Sequence, residues 1–467
     1  MATIYGSEPS NLQRRMDDLN KIKLETRDDI LNLFTPNSPI TSALKFAGRE
    51  KALEELTDAL LTKGADLVLF AERGGGKTSL ANMLHHIATG HLELLDYYNL
   101  RQRLERKGYF LNVIPGKTET KRFNVIWVDG SKRTVDEVIN LVLTRRKEKD
   151  YGPGLLYYLK SEADQTEVSA KIGFDRIFKS ETELKEIHVS PKPINIREGF
   201  ELAMQRYTDQ YDEELLIIID EFETIPNKSE ISQYMKSAKA RFVIVGIAET
   251  TLDLLGEHAS IARETQAIKL EPMTESELRL ILSIGAAILS PNYGFHPLAV
   301  DEIVRNSYGS PFWCHFFARG LIQRELELAG SPKFFLTPST PKEFTKDDVT
   351  ALIASLPTRS DSTIFEEALS LITVQDNLTA RILLSIATSK DGVISSAKIC
   401  EKLERQGISK ADVIATIEGF LKLSGNPLVE RSRIRDIVTF SFADPNLKKY
   451  ILIRNAGLAK GVAGQNG

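Results

Sequence analysis

The hydrophobic positions of the chain follow two kinds of pattern that alternate along it. Short, continuous apolar runs have the length of strands, and the segments between them carry apolar residues at helical spacing. Continuous apolar runs are typical of strands buried on both faces of a parallel sheet. The predicted strands are Leu67–Phe70, Asn124–Val128, Leu215–Ile219 and Arg241–Ile247. Strands that alternate with helices predict an α/β fold, in which a doubly wound parallel sheet carries helices on both faces.

The first half of the chain is predicted to contain a polar, helical lead over residues 1–45 and the sheet-containing core over residues 46–272. The core has an irregular insertion at about residues 130–200. Within it, the alternating pattern of residues 168–174 indicates a short hairpin.

The second half of the chain has three further predicted regions and a tail. Residues 273–335 are helical in pattern, and a cluster of prolines then indicates a connector over 336–376. Residues 377–455 show three helical patterns and two alternating strands, which is the order of a winged helix. The Gly- and Ala-rich residues 456–467 are predicted to be a disordered tail.

Composition and charge limit the ligands and the cellular locations that we expect for the chain. The chain has 467 residues and a formal net charge of −4, so it has no global attraction to nucleic acid or to an anionic membrane. Cys314 and Cys400 have neither metal-ligand spacing nor a disulfide pattern, which fits a reducing cytoplasm. The N-terminal stretch is not a secretory signal, and the apolar runs are too short to span a bilayer. We therefore expect a cytoplasmic protein without membrane insertion.

The most specific chemical signal is a glycine-rich loop between the first strand and an apolar helix. Backbone N–H groups of such a loop can form a concave nest for phosphate oxygens, and the helix N-terminus adds partial positive charge. Lys77 would reach the β- and γ-phosphates of a nucleotide, and Thr78 would hold Mg²⁺. The candidate nucleotide-binding residues of the loop are Ala71, Glu72, Arg73, Gly74, Gly75, Gly76, Lys77, Thr78 and Ser79. The loop predicts binding of a nucleoside triphosphate, although the usual first glycine is Ala71 here; the alternative is an ordinary glycine-rich turn.

A second signal lies at the end of the third predicted strand. Asp220 and Glu221 follow directly on this apolar run, and the carboxyl ends of parallel strands face the ligand crevice. Asp220 can hold Mg²⁺ through its water shell, and Glu221 can act as general base toward the attacking water. Two solvated acids that cap a buried strand are the alternative.

The end of the fourth predicted strand is a weaker candidate. A polar side chain there would sense the γ-phosphate, but a carboxylate at Glu249 cannot donate a hydrogen bond to it. Thr250 or Thr251 could donate instead. An ordinary solvated strand end is an equally good interpretation.

Taken together, the motifs of residues 34–330 resemble bacterial ATPases of the AAA+/STAND superfamily, and within it the branch of the origin-recognition and initiator ATPases. The segments that carry the resemblance are Phe34–Ile40, Phe46–Glu50, Glu72–Ala81, Ile219–Glu221, Val245–Leu254, Ser260–Arg263 and Ile268–Met273.

The resemblance implies a nucleotide-binding core, a helical lid, ATP and Mg²⁺ as ligands, and a homo-oligomer. It implies that Arg49 lies near the base, and that Arg263 is an arginine finger acting on a neighbouring subunit; a surface arginine is the alternative. Two positions depart from the family pattern, because Glu249 stands at the polar sensor and Phe312 at the lid arginine. His315 could replace that arginine or could be structural. The departures predict that the protein binds ATP but hydrolyses it slowly.

The predicted winged helix leaves two functions open. Residues 381–455 contain 13 Lys and Arg against 8 Asp and Glu, a local charge of +5. Arg431, Arg433 and Arg435 lie on or near the hairpin, where a wing would touch DNA phosphates. The third helix is mostly apolar and carries Asp412 and Glu418, which favours a protein partner. The sequence therefore predicts an ATPase switch that assembles with a protein partner, or alternatively a DNA-binding initiator or regulator ATPase.

Overall fold

The structure is a computed structural model that describes residues 11–62, 64–107, 123–146, 153–172, 195–237, 240–248, 250–255, 265–373, 377–389, 393–421, 428–434, 437–442 and 444–463. The chain forms two compact units. The sheet unit comprises the described residues of Met1–Ile22 and Ser38–Pro272, and the helical unit comprises those of Lys23–Asn37 and Met273–Gly467.

The sheet unit is an α/β fold around a five-stranded parallel sheet of order β2-β3-β4-β1-β5. Its strands are β1 (Asp66–Ala71), β2 (Phe123–Asp129), β3 (Glu214–Asp220), β4 (Ala240–Ile247) and β5 (Thr265–Lys269). Its helices are α1 (Asn11–Leu19), α3 (Glu50–Leu61), α4 (Lys77–Ala88), α5 (Glu93–Tyr97), α6 (Leu100–Arg106), α7 (Val135–Thr144), α8 (Leu155–Tyr158), α9 (Glu162–Ile172), α10 (Ile196–Gln210), α11 (Ile231–Ser237) and α12 (Thr251–Leu255).

Both faces of this sheet are covered by helices. Alternate residues of β3 belong to two different apolar clusters, with Leu216 and Ile218 on one face and Ile217 and Ile219 on the other. Helices α3 and α4 cover the first face, and α7 and α10 cover the second. Burial of both faces explains why the strands are continuous apolar runs, and it confirms the predicted fold class.

The helical unit contains two small sheets. Its strands are β6 (Tyr293–Phe295), β7 (Lys342–Phe344), β8 (Ile394–Ser395), β9 (Leu428–Ile434) and β10 (Ile437–Phe442). Its helices are α2 (Arg27–Leu31), α13 (Glu275–Leu289), α14 (Pro297–Ser307), α15 (Pro311–Ala329), α16 (Pro332–Leu336), α17 (Lys346–Ser355), α18 (Thr363–Thr373), α19 (Asn377–Ala387), α20 (Ser396–Glu404), α21 (Lys410–Leu421) and α22 (Pro445–Ala463). β6 and β7 form a parallel pair, and the other three form an antiparallel sheet of order β8-β10-β9. None of the helices among the described residues has the length and apolar character needed to cross a membrane.

The hairpin predicted within residues 168–174 is wrong over its described part. Residues up to Ile172 belong to helix α9, where Val168 and Ile172 are both buried. These two residues are four apart, so they share a helix face and pack inward together. The predicted irregular character of residues 130–200 is likewise wrong for α7, α8 and α9 and for the start of α10, whereas residues 173–194 lie outside the described residues.

Three further expectations in the second half of the chain need correction. Strand β6 interrupts the helical pattern after residue 290, because it pairs with β7. The predicted connector at 336–376 contains β7, α17 and α18, and Thr345 begins α17 with a capping box that involves Asp348. The predicted tail is helical as far as Ala463, because α22 continues through it. Alanine is the best helix former, which favours this extension over the disorder that the glycines suggested.

Phe34 fixes the N-terminal segment of the helical unit. Its side chain is 1% exposed, and its ring lies edge-on to Phe295 with the centroids 6.2 Å apart. A Cβ atom added at Gly285 of α13 would lie 2.1 Å from Cζ of Phe34. The absence of a side chain at Gly285 is therefore what allows Phe34 to reach its buried position.

Replacing Gly285 with alanine should destabilise the helical unit by about 1–3 kcal/mol, because the added methyl group overpacks the Phe34 ring. Gly419 of α21 provides a matched control, since an added Cβ there meets nothing within 4 Å. Gly419→Ala should be neutral or stabilising by up to about 1 kcal/mol, as expected from helix propensity. Urea unfolding followed by circular dichroism measures both. Equal effects of the two substitutions would contradict the described packing of Phe34.

Candidate phosphate-binding site

The glycine-rich loop lies between the end of β1 and the start of α4. Gly74 and Gly76 have φ angles of 77° and 89°, in the left-handed region that favours glycine. Gly75 has no room for a side chain, because an added Cβ would lie 3.0 Å from both the Cβ of Ala71 and the carbonyl oxygen of Glu72. Ala71 itself belongs to β1 and is buried opposite Ile247 of β4. Alanine is thus accommodated at the position where the usual pattern has glycine.

Helix α4 begins at Lys77, and its N-cap residue is Gly76. No side chain of the N-cap residue therefore accepts a hydrogen bond from the first backbone N–H groups of the helix. A helix N-terminus of this kind has partial positive charge and suits an anion. Glu72 and Arg73 are exposed, and the Lys77 and Thr78 side chains are half-buried. The local geometry can therefore receive a phosphate group.

Lys77 lies among carboxylates. Burial lowers the pKa of its ammonium group, while the charges of Glu223, Asp220 and Glu221 act in the opposite direction, in that order of size. Asp220 and Glu221 are predicted from the sequence, whereas Glu223 is not. The only signal that could have identified it is a third acid three residues after the strand end.

The two residues predicted to hold a metal ion lie close together. The buried carboxylate of Asp220 accepts a hydrogen bond from the backbone N–H of Glu221 at 2.9 Å. Burial raises the pKa of Asp220, while the Glu221 N–H and the nearby Thr78 hydroxyl act in the opposite direction. The Thr78 hydroxyl and the Asp220 carboxylate are hard oxygen ligands of the kind that Mg²⁺ prefers. Mg²⁺ usually binds one or two protein oxygens and keeps several water ligands.

Glu221 is exposed and has an unusual backbone conformation. Its φ angle is 53°, and the chain continues as a single 3-10 turn, Phe222–Thr224, with Phe222 fully buried. Desolvation raises the pKa of Glu221, and the charges of Asp129, Glu223 and Asp220 add to that effect. Asp129 ends β2 directly opposite Asp220 in the sheet register. The site therefore collects acids from the ends of two neighbouring strands.

Arg49 supports the loop from below. The residue has a φ angle of 62° just before α3, and its buried guanidinium donates to the carbonyl oxygen of Gly75 at 2.7 Å and to that of Glu271. Through these hydrogen bonds, Arg49 stabilises the backbone conformation of the loop. Ser79 has a similar supporting contact, since its hydroxyl accepts a hydrogen bond from the backbone N–H of Ile40 at 2.9 Å.

The strand-end candidates after β4 are only partly described. Thr250 caps helix α12: its hydroxyl donates to the carboxylate of Asp253 at 2.8 Å and accepts from the Asp253 backbone N–H at 3.2 Å. The Thr250 hydroxyl proton is thus donated within the helix cap in this structure, and donation to a γ-phosphate by Thr250 or Thr251 stays a prediction. Thr251 begins the same helix. Glu249 and Arg263 lie outside the described residues.

Phe312 and His315 belong to α15 of the helical unit. Phe312 packs edge-on against Phe365, with the ring centroids 6.3 Å apart. The Nδ1 atom of His315 accepts a hydrogen bond from the backbone N–H of Thr35 at 3.3 Å. Desolvation lowers the pKa of His315 to about 4, so the imidazole is neutral at pH 7. Its interpretation as a structural residue is supported, and as a neutral group it cannot supply the charge of the missing lid arginine.

Comparisons with known proteins give only distant structural similarity. No protein-family model matches the chain, and no curated protein does. The chain is similar to the Orc1 protein of Aeropyrum pernix in complex with DNA, with 14% identity, a TM-score of 0.39 and coverage of 89% of this chain and 94% of that one. It is also similar to a Walker-type ATPase of Pyrococcus abyssi, with 15% identity, a TM-score of 0.42 and coverage of 90% and 99%.

A RuvB mutant of Thermotoga maritima has 13% identity and a TM-score of 0.39, with coverage of 88% of this chain and 98% of that one. Likeness of this degree assigns no activity to the chain.

Proposed function

We propose that the protein is an ATP-binding, slowly hydrolysing switch of the AAA+/STAND type that works in the cytoplasm as a homo-oligomer and controls assembly with a protein partner. The observation that carries this proposal is the convergence of Lys77, Thr78 and Asp220 beneath the glycine-rich loop. An ammonium group, a helix N-terminus and a pair of hard oxygen ligands are the parts that bind a nucleotide phosphate chain with its magnesium ion.

Each residue has a separate role in the proposed mechanism. Backbone N–H groups of Arg73 to Gly76 bind phosphate oxygens, and Lys77 neutralises charge on the β- and γ-phosphates. Thr78 and Asp220 would hold Mg²⁺, which would supply positive charge that stabilises the negative phosphate chain. Arg49 keeps the loop in shape through its hydrogen bond to Gly75.

Glu221 is the proposed general base. Its raised pKa brings its proton affinity closer to neutral pH, as a base requires when it removes a proton from water. Arg263 is proposed to act on the nucleotide of a neighbouring subunit. The departures from the resembled family pattern at Glu249 and Phe312 support slow turnover, since neither residue type carries a positive charge.

Replacing Lys77 with alanine should weaken ATP binding at least tenfold, because it removes a charge-assisted hydrogen bond from the phosphates. The control is Lys51→Ala on α3, which removes an equal charge from a side chain that is 92% exposed. Calorimetric titration with ATP and Mg²⁺ measures both affinities. If Lys77→Ala and Lys51→Ala bind ATP equally well, the loop is not the nucleotide site.

Replacing Glu221 with glutamine should lower ATP turnover by about 100-fold while ATP stays bound, because the amide keeps the shape of the side chain but cannot accept the proton. Phosphate release and nucleotide affinity are measured on the same sample. The matched control is Glu105→Gln, the same change at an exposed residue of α6. A turnover equal to that of the control would exclude Glu221 as the base.

The runner-up function is a DNA-binding initiator or regulator ATPase that uses residues 377–455 as a winged helix. Its support is the order of α19, α20, α21, β9 and β10 together with the local charge of +5, from 13 basic and 8 acidic residues in 381–455. The exposed face of α21 argues against it. Ile414, Asp412 and Glu418 are all exposed there, and two carboxylates on a recognition helix repel DNA phosphates. A protein partner is the better match to this face.

A triple substitution of Arg431, Arg433 and Arg435 by alanine distinguishes the two functions. In the DNA-binding case it should weaken duplex binding and reduce the salt slope by about one unit for each phosphate that is no longer neutralised, while ATP affinity stays unchanged. Fluorescence anisotropy with a labelled duplex at several salt concentrations measures this. Wild-type protein that shows no duplex binding at low salt with ATP would eliminate the initiator function.

A further inference from the structure

The short 3-10 turn that follows Glu221 is tied to both strands that lie beside β3 in the sheet. On one side, Oε2 of Glu223 accepts a hydrogen bond from the backbone N–H of Ile247, the last residue of β4, at 3.0 Å. Gly246 leaves room for this carboxylate, since an added Cβ atom there would lie 2.9 Å from Oε2. On the other side, Thr224 is hydrogen-bonded to the loop that follows β2.

The hydroxyl of Thr224 joins two segments of the chain through one oxygen atom. It accepts a hydrogen bond from the backbone N–H of Lys132 at 3.3 Å and donates one to the carbonyl oxygen of Glu221 at 2.9 Å. The carbonyl oxygen of Gly130 is a more distant acceptor, at 3.5 Å. The Glu221 carbonyl oxygen also accepts from the Thr224 backbone N–H at 3.2 Å. Thr224 therefore contacts the backbone of the proposed general base directly, whereas the Glu223 carboxylate contacts β4.

Both residues that this hydroxyl joins have a left-handed backbone conformation. The φ angles of Glu221 and Lys132 are 53° and 57°, in a region that is unfavourable for residues other than glycine. Such conformations persist only where the surrounding structure holds them. Both residues are exposed, so burial of their own side chains does not provide that hold. The hydrogen bonds of Thr224 act on the backbone of both.

The chain is fixed on either side of the turn. The backbone N–H of Gly130 donates to the carbonyl oxygen of Asp220 at 2.8 Å. A Cβ atom added at Gly130 would lie 3.0 Å from Cδ1 of Ile225 and 3.1 Å from the Asp220 carbonyl oxygen. Asp220 and Ile225 are both buried. The direction in which the Glu221 side chain leaves the backbone is therefore decided between two fixed points, by the hydrogen bonds within the turn.

We propose that Thr224 is a positioning residue for Glu221, because its hydroxyl holds the left-handed backbone from which the carboxylate of the proposed base projects. The proposal rests on the ATP hydrolysis proposed above. Within the described residues, the hydrogen bonds of this hydroxyl go to the turn and to the loop after β2, and not to the phosphate loop at 71–79. Loss of the hydroxyl should therefore affect turnover and leave ATP affinity unchanged.

The test begins with Thr224→Val, which keeps the shape of the side chain and removes the hydroxyl. It should lower kcat for ATP by at least about fivefold, the factor by which one neutral hydrogen bond changes a conformational equilibrium, because a displaced catalytic group is costly in rate. Thr224→Ala should give the same fall, and Thr224→Ser should keep turnover near the wild-type value. The matched control is Thr208→Val on α10, where the hydroxyl also donates to a carbonyl oxygen three residues earlier, that of Gln205 at 2.9 Å.

A second measurement asks whether Thr224 acts through Glu221. Adding Thr224→Val to Glu221→Gln should leave the turnover of the Glu221→Gln variant unchanged, since the side chain that Thr224 positions is then no longer a base. A double variant that is slower again by the full effect of Thr224→Val would overturn the proposal, because Thr224 would then act by another route. ATP affinity is measured by calorimetry on each sample.

The outcomes separate this proposal from the proposed function. Wild-type protein without ATP turnover, or with turnover that Glu221→Gln does not change, would overturn both. Turnover that depends on Glu221 but falls less than about fivefold in Thr224→Val and Thr224→Ala would overturn the role of Thr224 alone. An equal fall in Thr224→Ser would also overturn it, because the hydroxyl would then not be the cause. Thermal unfolding of each variant verifies that the compared proteins are folded.

Discussion

The proximity of the Thr78 side chain to the buried Asp220 carboxylate is the constraint on which the arrangement of the site depends. It joins the start of α4 to the end of β3, although β1 and β3 are separated in the sheet by β4. The two groups can meet only when the whole parallel sheet is assembled with correct register. Both faces of that sheet are buried. If a strand shifted its register by one residue, the side chains that face one layer of helices would face the other layer instead. The packing of the core thus fixes the strand register, and the register fixes the relative positions of the site residues.

The carboxylates that act on Lys77 carry more charge than this one lysine can neutralise. Asp220, Glu221 and Glu223 all act on it, and the pKa values of Asp220 and Glu221 are raised mainly because desolvation disfavours their charged forms. Carboxylates that lie together in a partly buried place disfavour one another's charge, and a divalent cation relieves that repulsion. This surplus of negative charge agrees with the proposed magnesium site.

Much of the sheet unit could be predicted from sequence because its signals are local. Each of the four apolar runs and the glycine-rich loop determines the local conformation of its own backbone. All four strands occur within one residue of the predicted bounds. β5 was missed because only Ile268 of its five residues is buried, so the strand has no apolar run. Glu223 was missed because its significance comes from Gly246 and Ile247, which are near it only in the folded sheet.

The wrong predictions have a common physical cause, which is that periodicity and composition are ambiguous in short segments. Val168 and Ile172 fit an alternating strand as well as a helix, and packing within α9 decides between them. The prolines near residue 340 suggest a connector, but Pro332 occupies the first turn of α16, where proline costs no hydrogen bond. Tertiary pairing of β6 with β7 then organises the segment that follows.

The departure at Phe312 has a structural explanation within the helical unit. Phe312 contacts Phe365 of α18, and Phe365 stacks on Tyr450 of α22 with the ring centroids 5.1 Å apart. Tyr450 also donates a hydrogen bond to Glu366, which accepts another from Arg454 at 3.1 Å. An arginine at position 312 would put a charge into this aromatic cluster, where desolvation is costly. Phe312 therefore helps to attach the C-terminal helix to the helical unit through its contact with Phe365.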